Sequence, residues 1–430
     1  MVWPDRSSPG GRRSRGTATL RRAGVRTLFR AAAIALVALL ATVGVPQPSA
    51  AHEPPTSGVV RPRQENPPPF PSAALTARLA ELRRAYRIPG IEATIIFADG
   101  RSWRAHAGFR DYERRITLAN RTPLAIASVS KTFIAALVIQ LAGEGWFGLD
   151  DPVVRWLPSA RVDPGVTIRE LLDHTSGVFD FFSNTLIDRA LLDCPACAWT
   201  PSKALSYVKK PYFVPGAGWH YSNTGYVLLG ELVDQVTGTA YPALLRQRFF
   251  EPLGLISTYV QGVEPAPFPV SHSYRFTTPS LGEAPKPLWD GTGVAPFRSV
   301  TTAAGSAGAI ASSARDLALW ARFLYSGAIL GPSGLAEMLD VAPSLPYRAD
   351  APYGLGVQQY LIGGRLAYGH GGRLLGARSA IRYLPAEGIS IAVVQNTDRG
   401  DPGVIAEELL AVILAPLPTP APSPGPSPAP

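Results

Sequence analysis

The sequence predicts an α+β protein in which an antiparallel sheet is built from both ends of the chain and flanked by helices, with a mostly helical part inserted between them. Three observations indicate this fold class. Strand patterns occur near both ends of the folded part, helical patterns fill the middle, and hydrophobic residues make up 46% of the 430 residues, which is enough for a large core.

The first elements of the sheet lie close to the N-terminal end of the folded part. Residues 73–86 have helical apolar spacing, and Pro89-Gly90 ends that helix. Residues 91–98 have the pattern of a strand, Asp99-Gly100 is a hairpin turn signal, and residues 101–108 form the returning strand. We therefore expect a helix followed by a β-hairpin.

Helices are predicted for the middle of the chain, and strands return near its C-terminal end. The predicted helices cover residues 129–143, 168–173, 201–209, 225–237, 313–325 and 403–414, and the predicted strands cover 354–361, 365–369, 377–384 and 389–395. The sheet should combine strands from 91–108 with strands from 354–395, and the chemically interesting motifs should meet where the sheet borders the helical part.

Both termini differ in composition from the folded part. Residues 1–51 place arginines before an apolar run and end on small residues, which is the order of a secretory signal peptide with cleavage after Ala51. Residues 52–71 read as a Pro-rich linker and residues 415–430 as a disordered Pro-rich tail. The domain between them, 72–414, divides into an α/β part, about 72–125 and 301–414, and a helical part, about 126–300.

The net charge of +9 does not indicate a nucleic-acid partner. Residues 1–51 contain eight Arg and one Asp, so most of the excess positive charge lies in the predicted signal peptide. The remaining sequence has no basic stripe interleaved with aromatic residues. We expect no nucleic-acid partner, and contact with a membrane only through the export signal.

The only two cysteines form the motif Cys194-Pro-Ala-Cys197. Such a motif can serve redox chemistry or bind a metal, but no further Cys completes a zinc site and the six His lack paired-ligand spacing. In an exported protein a local disulfide in an exposed loop is the favoured interpretation. No metal and no cofactor are expected.

The strongest candidate for chemistry is Ser128-x-x-Lys131 at the start of the long apolar helix. Residues three apart project from one face of a helical turn. A serine hydroxyl becomes a good nucleophile when a nearby base takes its proton, and an amine can do so if burial lowers its pKa. The same spacing recurs in Ser206-x-x-Lys209, but a serine late in a short helix more often bonds to the preceding turn.

Two further motifs offer matching chemistry. In Tyr221-Ser222-Asn223, the tyrosine hydroxyl can move a proton and the asparagine amide can hold a substrate carbonyl, although the same triplet is also a common turn before a helix. In His370-Gly371-Gly372, placed after the strand predicted to begin at residue 365, the glycines allow a substrate backbone to approach closely, or else mark a bulge.

Together, Ser128-x-x-Lys131, Tyr221-x-Asn223 and His370-Gly371-Gly372 resemble the three motifs of the penicillin-recognising serine hydrolases. This superfamily contains class C β-lactamases, serine D-alanyl-D-alanine carboxypeptidases and related esterases. The resemblance covers about residues 75–400 and implies a β-lactamase/transpeptidase-like fold. It also includes the segment 166–177, where the resemblance implies that His174 is structural.

The resemblance assigns a role to each motif residue. Ser128 would form an acyl-enzyme, while Lys131 and Tyr221 manage the proton. The backbone N–H groups of Ser128 and Arg373 would form the oxyanion hole, and the residues Asn223, His370, Gly371, Gly372 and Arg373 would bind the substrate. His370 stands where the family often has Lys, a departure that argues against efficient β-lactam hydrolysis.

The function implied is that of an exported serine hydrolase, a D-alanyl-D-alanine carboxypeptidase-like enzyme acting on cell-wall peptides. The alternatives are a carboxylic esterase or weak β-lactamase of the same fold, and an inactive cell-wall-binding relative. An α/β-hydrolase is disfavoured, because Ala304-Gly305-Ser306-Ala307-Gly308 misses the nucleophile-elbow pattern by one residue. The expected partner is a peptidoglycan-type peptide or a small acyl or ester substrate, the expected location is secreted or cell-envelope, and the expected state is a monomer.

Overall fold

The computed structural model describes residues 71–277, 283–341 and 352–414. The predicted signal peptide, residues 52–70 of the predicted linker and the predicted tail lie outside the described residues. Among the residues that are described, none of the helices has the length and apolar character needed to cross a bilayer.

The described helices and strands follow the predicted order. The strands are β1 (Gly90–Ile96), β2 (Ser102–Asp111), β3 (Ile116–Thr117), β4 (Leu124–Ala125), β5 (Tyr259–Val260), β6 (Ser273–Arg275), β7 (Lys286–Leu288), β8 (Ile310–Ser312), β9 (Gln358–Ile362), β10 (Arg365–Leu374), β11 (Ala377–Leu384) and β12 (Ile389–Gln395). The helices are α1 (Ser72–Tyr86), α2 (Ser130–Gly143), α3 (Ile168–Asp173), α4 (Ile187–Leu192), α5 (Pro201–Leu205), α6 (Asn223–Thr237), α7 (Tyr241–Leu245), α8 (Arg298–Ala304), α9 (Ala314–Tyr325), α10 (Gly331–Leu339) and α11 (Pro402–Ala411).

The main sheet joins both ends of the described chain. Its seven strands lie in the order β3-β2-β1-β12-β11-β10-β9. β1 and β12 pair antiparallel in its centre, with Ile91 opposite Gln395, and the other neighbours also run antiparallel. The predicted α+β fold with a sheet assembled from both chain ends is therefore confirmed.

Helices cover both faces of this sheet. On one face, Leu75 and Leu79 of α1 and Leu409 of α11 share an apolar cluster with the sheet. On the other face, α9 packs against the central strands and continues into the core around α2. Eleven residues of α2 are buried, which is the pattern of a helix surrounded by protein on all sides.

Three predicted elements differ from the structure. The strand expected over 354–361 starts only at Gln358, because Gly356 adopts a left-handed conformation with φ 74° and interrupts extended backbone. The helix expected over 201–209 ends at Leu205. Beside its helices, the middle part, which was predicted to be mostly helical, contains the short strands β5, β6 and β7.

The third difference concerns the glycine-rich motif. His370-Gly371-Gly372 lies inside β10, which continues to Leu374, and does not follow the strand. A side chain at Gly372 could not be accommodated there, since a Cβ would lie 2.2 Å from the carbonyl oxygen of Ile126. The glycines are therefore required where β10 passes close to the turn that carries Ser128.

Candidate active site

Ser128 lies in a sharp turn between β4 and α2. A single 3-10 turn, Ala127–Val129, leads directly into the helix. Ala127 has φ 51°, a left-handed conformation that costs free energy for a residue with a side chain. The Ser379 hydroxyl of β11 donates to the Ile126 carbonyl at 2.6 Å. The turn and this hydrogen bond hold the partly exposed Ser128 at the start of a buried helix.

Lys131 lies one turn further along and is completely buried. Its Nζ is 3.3 Å from Ser128 Oγ, 2.8 Å from Asn223 Oδ1 and 2.8 Å from the Ala307 carbonyl oxygen. Burial lowers the pKa of this amine from its ordinary 10.5 to about 7, against an opposing effect of the Asp180 carboxylate. A substantial fraction of Lys131 is therefore neutral near pH 7.

The three contacts fix the direction of the amine lone pair. Asn223 Oδ1 and the Ala307 carbonyl can only accept hydrogen bonds, so they take the two N–H groups of a neutral amine. The remaining contact is the Ser128 hydroxyl, which can donate. The lone pair thus points at the proton that Ser128 must lose before it attacks a carbonyl.

Asn223 is held by a carboxylate that sequence reasoning missed. Its Nδ2 donates to both oxygens of Asp180, at 3.2 and 3.1 Å, which turns its Oδ1 towards Lys131. The observed role of Asn223 is to orient Lys131, and its predicted contact with substrate stays a prediction. The signal for Asp180 was present in the sequence, since one acidic residue interrupts the apolar run Val178-Phe179-Asp180-Phe181-Phe182.

Tyr221 precedes α6, whose N-cap is Ser222. The centre of its ring is 4.9 Å from Lys131 Nζ and 4.3 Å from the His174 ring. The second motif therefore spans the N-terminus of α6, with Tyr221 before the helix and Asn223 as its first residue. Both side chains reach Lys131 from this one segment.

The third motif presents an open strand edge. Pairing of β9 with β10 ends where Gly369 lies opposite Gln358. Beyond that point the Gly371 N–H donates to the Gln358 side chain at 3.1 Å. Because in-plane backbone groups alternate along a strand, the N–H of Arg373 faces the same open side. That is the position expected for an oxyanion donor.

His370 is buried, with 1% exposure. Burial lowers the pKa of its imidazole to about 3, so the ring is neutral. Its Nδ1 lies 2.6 Å from the Gly371 carbonyl oxygen and its Nε2 lies 2.9 Å from the Tyr353 hydroxyl. His370 therefore does not replace the positive charge of a lysine, and both of its nitrogens are engaged within the protein.

The predicted site residues converge on one cleft of about 920 Å³. Ser128, Tyr221 and Asn223 line it from the helical part, and the third motif lines it from the sheet. Lys131 lies directly behind the surface, bonded to Ser128 and Asn223. All the motif residues singled out in the sequence are thus brought together, including Arg373, whose exposed side chain also lines the cleft.

The weaker serine candidates do not form comparable sites. The Ser206 hydroxyl donates to the Lys203 carbonyl on the surface, and Lys209 is exposed. The Ser306 hydroxyl is buried and donates to the Tyr226 carbonyl, so it is not presented as a nucleophile. The α/β-hydrolase alternative therefore has no support in the structure.

The cysteine pair forms the expected local disulfide between Cys194 and Cys197. Both residues are exposed. Their loop packs against α8, where the Ser299 N–H donates to the Pro195 carbonyl at 2.8 Å. Neither cysteine belongs to the three motifs.

Among the described residues, one cluster has side chains that can bind a metal: Asp111, Glu113 and His272. It borders a different cavity from the one that contains Ser128. His272 Nε2 lies 4.0 Å from Asp111 and Nδ1 lies 3.9 Å from Glu113, so the two nitrogens face different carboxylates. Burial lowers the pKa of the His272 imidazole and disfavours its charged form, and the expectation of no metal stays a prediction.

Comparison with known proteins identifies the class. Residues 75–415 match the family model described as Beta-lactamase, and the chain therefore belongs to this family. With similarities to aminopeptidases and amidases of the same family, the chain is a serine hydrolase. The predicted membership of the penicillin-recognising superfamily is confirmed.

Three individual similarities are informative. The chain is 28% identical over 336 residues to a D-aminopeptidase of Brucella anthropi, covering 77% of this chain and 60% of that protein. It is 28% identical over 354 residues to penicillin-binding protein 4 of Amycolatopsis lactamdurans, covering 76% and 86%. The crystal structure of a D-stereospecific amidohydrolase from a Streptomyces species superposes with TM-score 0.68 and 29% identity, covering 79% of this chain and 99% of that one.

Proposed function

We propose that the protein is an exported serine hydrolase that cleaves peptides at a D-amino acid, with D-alanyl-D-alanine carboxypeptidase-like activity on cell-wall peptides. The observation that carries the proposal is the buried Lys131 amine, whose lone pair is directed at the Ser128 hydroxyl by two fixed acceptors. A non-catalytic protein has no need to bury an amine at the free energy cost that its lowered pKa implies.

The reaction proceeds in two halves. Ser128 Oγ bonds to the substrate carbonyl carbon as its proton passes to Lys131, and the resulting oxyanion accepts from the N–H groups of Ser128 and Arg373. Such donors stabilise the transition state by about 3–4 kcal/mol each. The C–N bond then breaks, and the proton passes to the leaving amine, with Tyr221 and Lys131 acting as a coupled pair. Water attacks the acyl-enzyme, releasing the acid and restoring the serine hydroxyl.

The charge distribution of the cleft supports a substrate with a free carboxylate. The exposed side chains of Arg275 and Arg373 both line the cleft. Arg373 directly follows Gly372, beside the open edge of β10. A guanidinium at this position can pair with the C-terminal carboxylate of a peptide.

A second candidate function is removal of an N-terminal D-amino acid or hydrolysis of a D-amino acid amide. Asp188 supports it, because this exposed carboxylate also lines the cleft and can pair with a free amino group. The similarities to a D-aminopeptidase and to a D-stereospecific amidohydrolase point the same way. The chain spans only 60% of the D-aminopeptidase, however, so the activity of that whole protein is not assumed.

One substrate panel separates these functions. Purified protein is incubated with a peptide ending in D-Ala-D-Ala, the same peptide as its C-terminal amide, a D-amino acid amide, nitrocefin and a p-nitrophenyl ester, with Ser128→Ala as the blank. We expect release of D-Ala from the free acid and much slower cleavage of its amide. Arg373→Gln should raise KM for the free acid only.

Other outcomes identify the alternatives. Faster turnover of the D-amino acid amide, lost in Asp188→Asn, would establish the second function. Turnover of the ester alone would identify an esterase, and turnover of nitrocefin a β-lactamase. Absence of turnover and of covalent labelling by fluorophosphonate or penicillin probes would identify an inactive relative. Export is tested separately by N-terminal sequencing of protein from the culture medium or cell envelope, with cleavage expected after Ala51.

A further inference from the structure

A chain of hydrogen bonds crosses the protein behind the cleft through three buried side chains. His174, Tyr353 and His370 are each 1% exposed. The Ser222 N–H donates to His174 Nδ1 at 3.2 Å, and His174 Nε2 lies 3.2 Å from the Tyr353 hydroxyl. That hydroxyl lies 2.9 Å from His370 Nε2, and His370 Nδ1 lies 2.6 Å from the Gly371 carbonyl oxygen.

The two ends of this hydrogen-bond chain determine the tautomers of both histidines. A backbone N–H can only donate, so His174 Nδ1 accepts and its proton is on Nε2. A backbone carbonyl can only accept, so His370 carries its proton on Nδ1. The Tyr353 hydroxyl can then accept from His174 and donate to His370, and it also contacts the Tyr226 hydroxyl, which itself donates to the Leu172 carbonyl. The two histidines are neutral and are held in opposite tautomers.

This chain of hydrogen bonds connects the two walls of the cleft. Ser222 lies between Tyr221 and Asn223 on the helical side, and Gly371 lies two residues before Arg373 on the sheet side. We propose that Tyr353 and His174 are positioning residues that hold His370 in its Nδ1–H tautomer, and thereby fix the backbone from Gly371 to Arg373 relative to Tyr221 and Asn223.

Among the residues that the structure describes, no strand pairs with the outer edge of this part of β10, which therefore needs such support. Regular pairing with β9 stops at Gly369, and the Gln358 side chain replaces only one of the missing contacts, at the Gly371 N–H. An oxyanion donor has to stay within about 0.5 Å of its productive position. The bond from His370 to the Gly371 carbonyl restrains the peptide that leads to the Arg373 N–H.

Tautomers can be read directly by NMR. In protein labelled with ¹⁵N-histidine, long-range ¹H–¹⁵N correlations distinguish a protonated ring nitrogen from an unprotonated one, and single His→Asn variants assign the signals of the six histidines. We expect Nε2–H for His174 and Nδ1–H for His370 between pH 6 and 8. Finding His370 as Nε2–H, or as the imidazolium, in the otherwise unmodified protein would overturn the proposal.

The Tyr353→Phe variant tests the link itself. It removes the hydroxyl that lies 2.9 Å from His370 Nε2, so we expect the Nδ1–H signature of His370 to be lost or mixed. Tyr325→Phe is the matched control, because Tyr325 is a buried tyrosine whose hydroxyl has no hydrogen-bond partner within the described residues. The control should leave both tautomers as in the wild type.

The catalytic consequence rests on the proposed serine hydrolase function, whereas the tautomers do not. Tyr353→Phe should slow acylation of Ser128 by a fluorophosphonate probe about 10- to 100-fold, the usual cost of a misplaced reacting group. Tyr325→Phe should not slow it. Unchanged acylation in Tyr353→Phe, or an equal loss in the control, would refute the positioning role. A protein with the expected tautomers but no acylation would instead refute the proposed function.

Discussion

Replacing Lys131 with arginine keeps a positive charge in the site but removes its ability to act as a base. The wild-type amine is buried, and burial lowers its pKa to about 7. Near neutral pH it is therefore present in both forms, and the neutral form faces Ser128 Oγ at 3.3 Å. A guanidinium has an ordinary pKa above about 12 and stays protonated.

The size of the effect follows from these values. At pH 7 about half of the lysine is neutral, whereas the neutral fraction of an arginine is below about 10⁻⁵. The loss in rate is limited by what a positioned base contributes, which is about 10²–10⁴. We expect acylation of Lys131→Arg to fall by that factor. In the wild type, the rate should fall about tenfold for each pH unit below 7, because protonation of Lys131 removes the lone pair, and it should level off above pH 7.

The assay is the second-order rate of covalent labelling by a fluorescent fluorophosphonate from pH 5 to 9, with Ser128→Ala as the blank. The chain supplies a matched control in Lys209→Arg, since Lys209 has the same spacing from a serine but is exposed on the surface. That control should label like the wild type. If Lys131→Arg labelled at a near-normal rate while His370→Ala abolished labelling, the mechanism would be a Ser–His one and our assignment would be wrong.

Four further predictions use the same protein. Tyr221→Phe should lose about 10²–10⁴ in labelling rate, the range for a positioned acid–base group, and a loss below tenfold would remove Tyr221 from the proton pathway. Asp180→Asn should shift the acid limb of the pH–rate profile to lower pH, because the Asp180 carboxylate raises the pKa of Lys131; an upward shift would contradict this. Double replacement of Cys194 and Cys197 by Ser should leave turnover within a few-fold, since both are exposed and outside the motifs; a loss as large as that of Ser128→Ala would refute this. Finally, the folded pKa of Lys131 lies below its ordinary 10.5, so the unfolded chain binds more protons between pH 7 and 10. Over that window the free energy of unfolding of the wild type, measured by urea denaturation, should rise relative to that of Lys131→Met by about 1.4 kcal/mol per pH unit. If the two proteins showed the same pH dependence of the free energy of unfolding, burial would not be lowering the pKa of Lys131.

Local patterns were sufficient for the fold class and for choosing the candidate residues that the structure brings together. The strand patterns at both ends of the chain predicted the sheet, because alternation and turn signals such as Asp99-Gly100 are properties of neighbouring residues. Ser128 and Lys131 lie within one helical turn, so their contact is also local. The other two motifs were recognised by their order and composition, and the structure brings them to the same cleft.

Two local predictions failed for identifiable reasons. The strand over 354–361 was placed too early because apolar content cannot reveal that Gly356 adopts φ 74°. The strand predicted over 365–369 was ended before the glycines of the third motif. Here they remain inside β10, where the neighbouring Ile126 carbonyl leaves no room for a side chain at Gly372.

The sequence by itself determined the α+β class, the residues that can attack and transfer a proton, and the paired cysteines. Only the tertiary structure decided how those groups are oriented and charged. Asp180 orients Lys131 through Asn223, which lies 43 residues after Asp180 in the sequence. Tyr353 links two histidines that belong to separate motifs. The pKa of Lys131 likewise depends on burial by distant elements. Hydrogen-bond direction and desolvation are properties of three-dimensional neighbours, which a linear pattern does not contain.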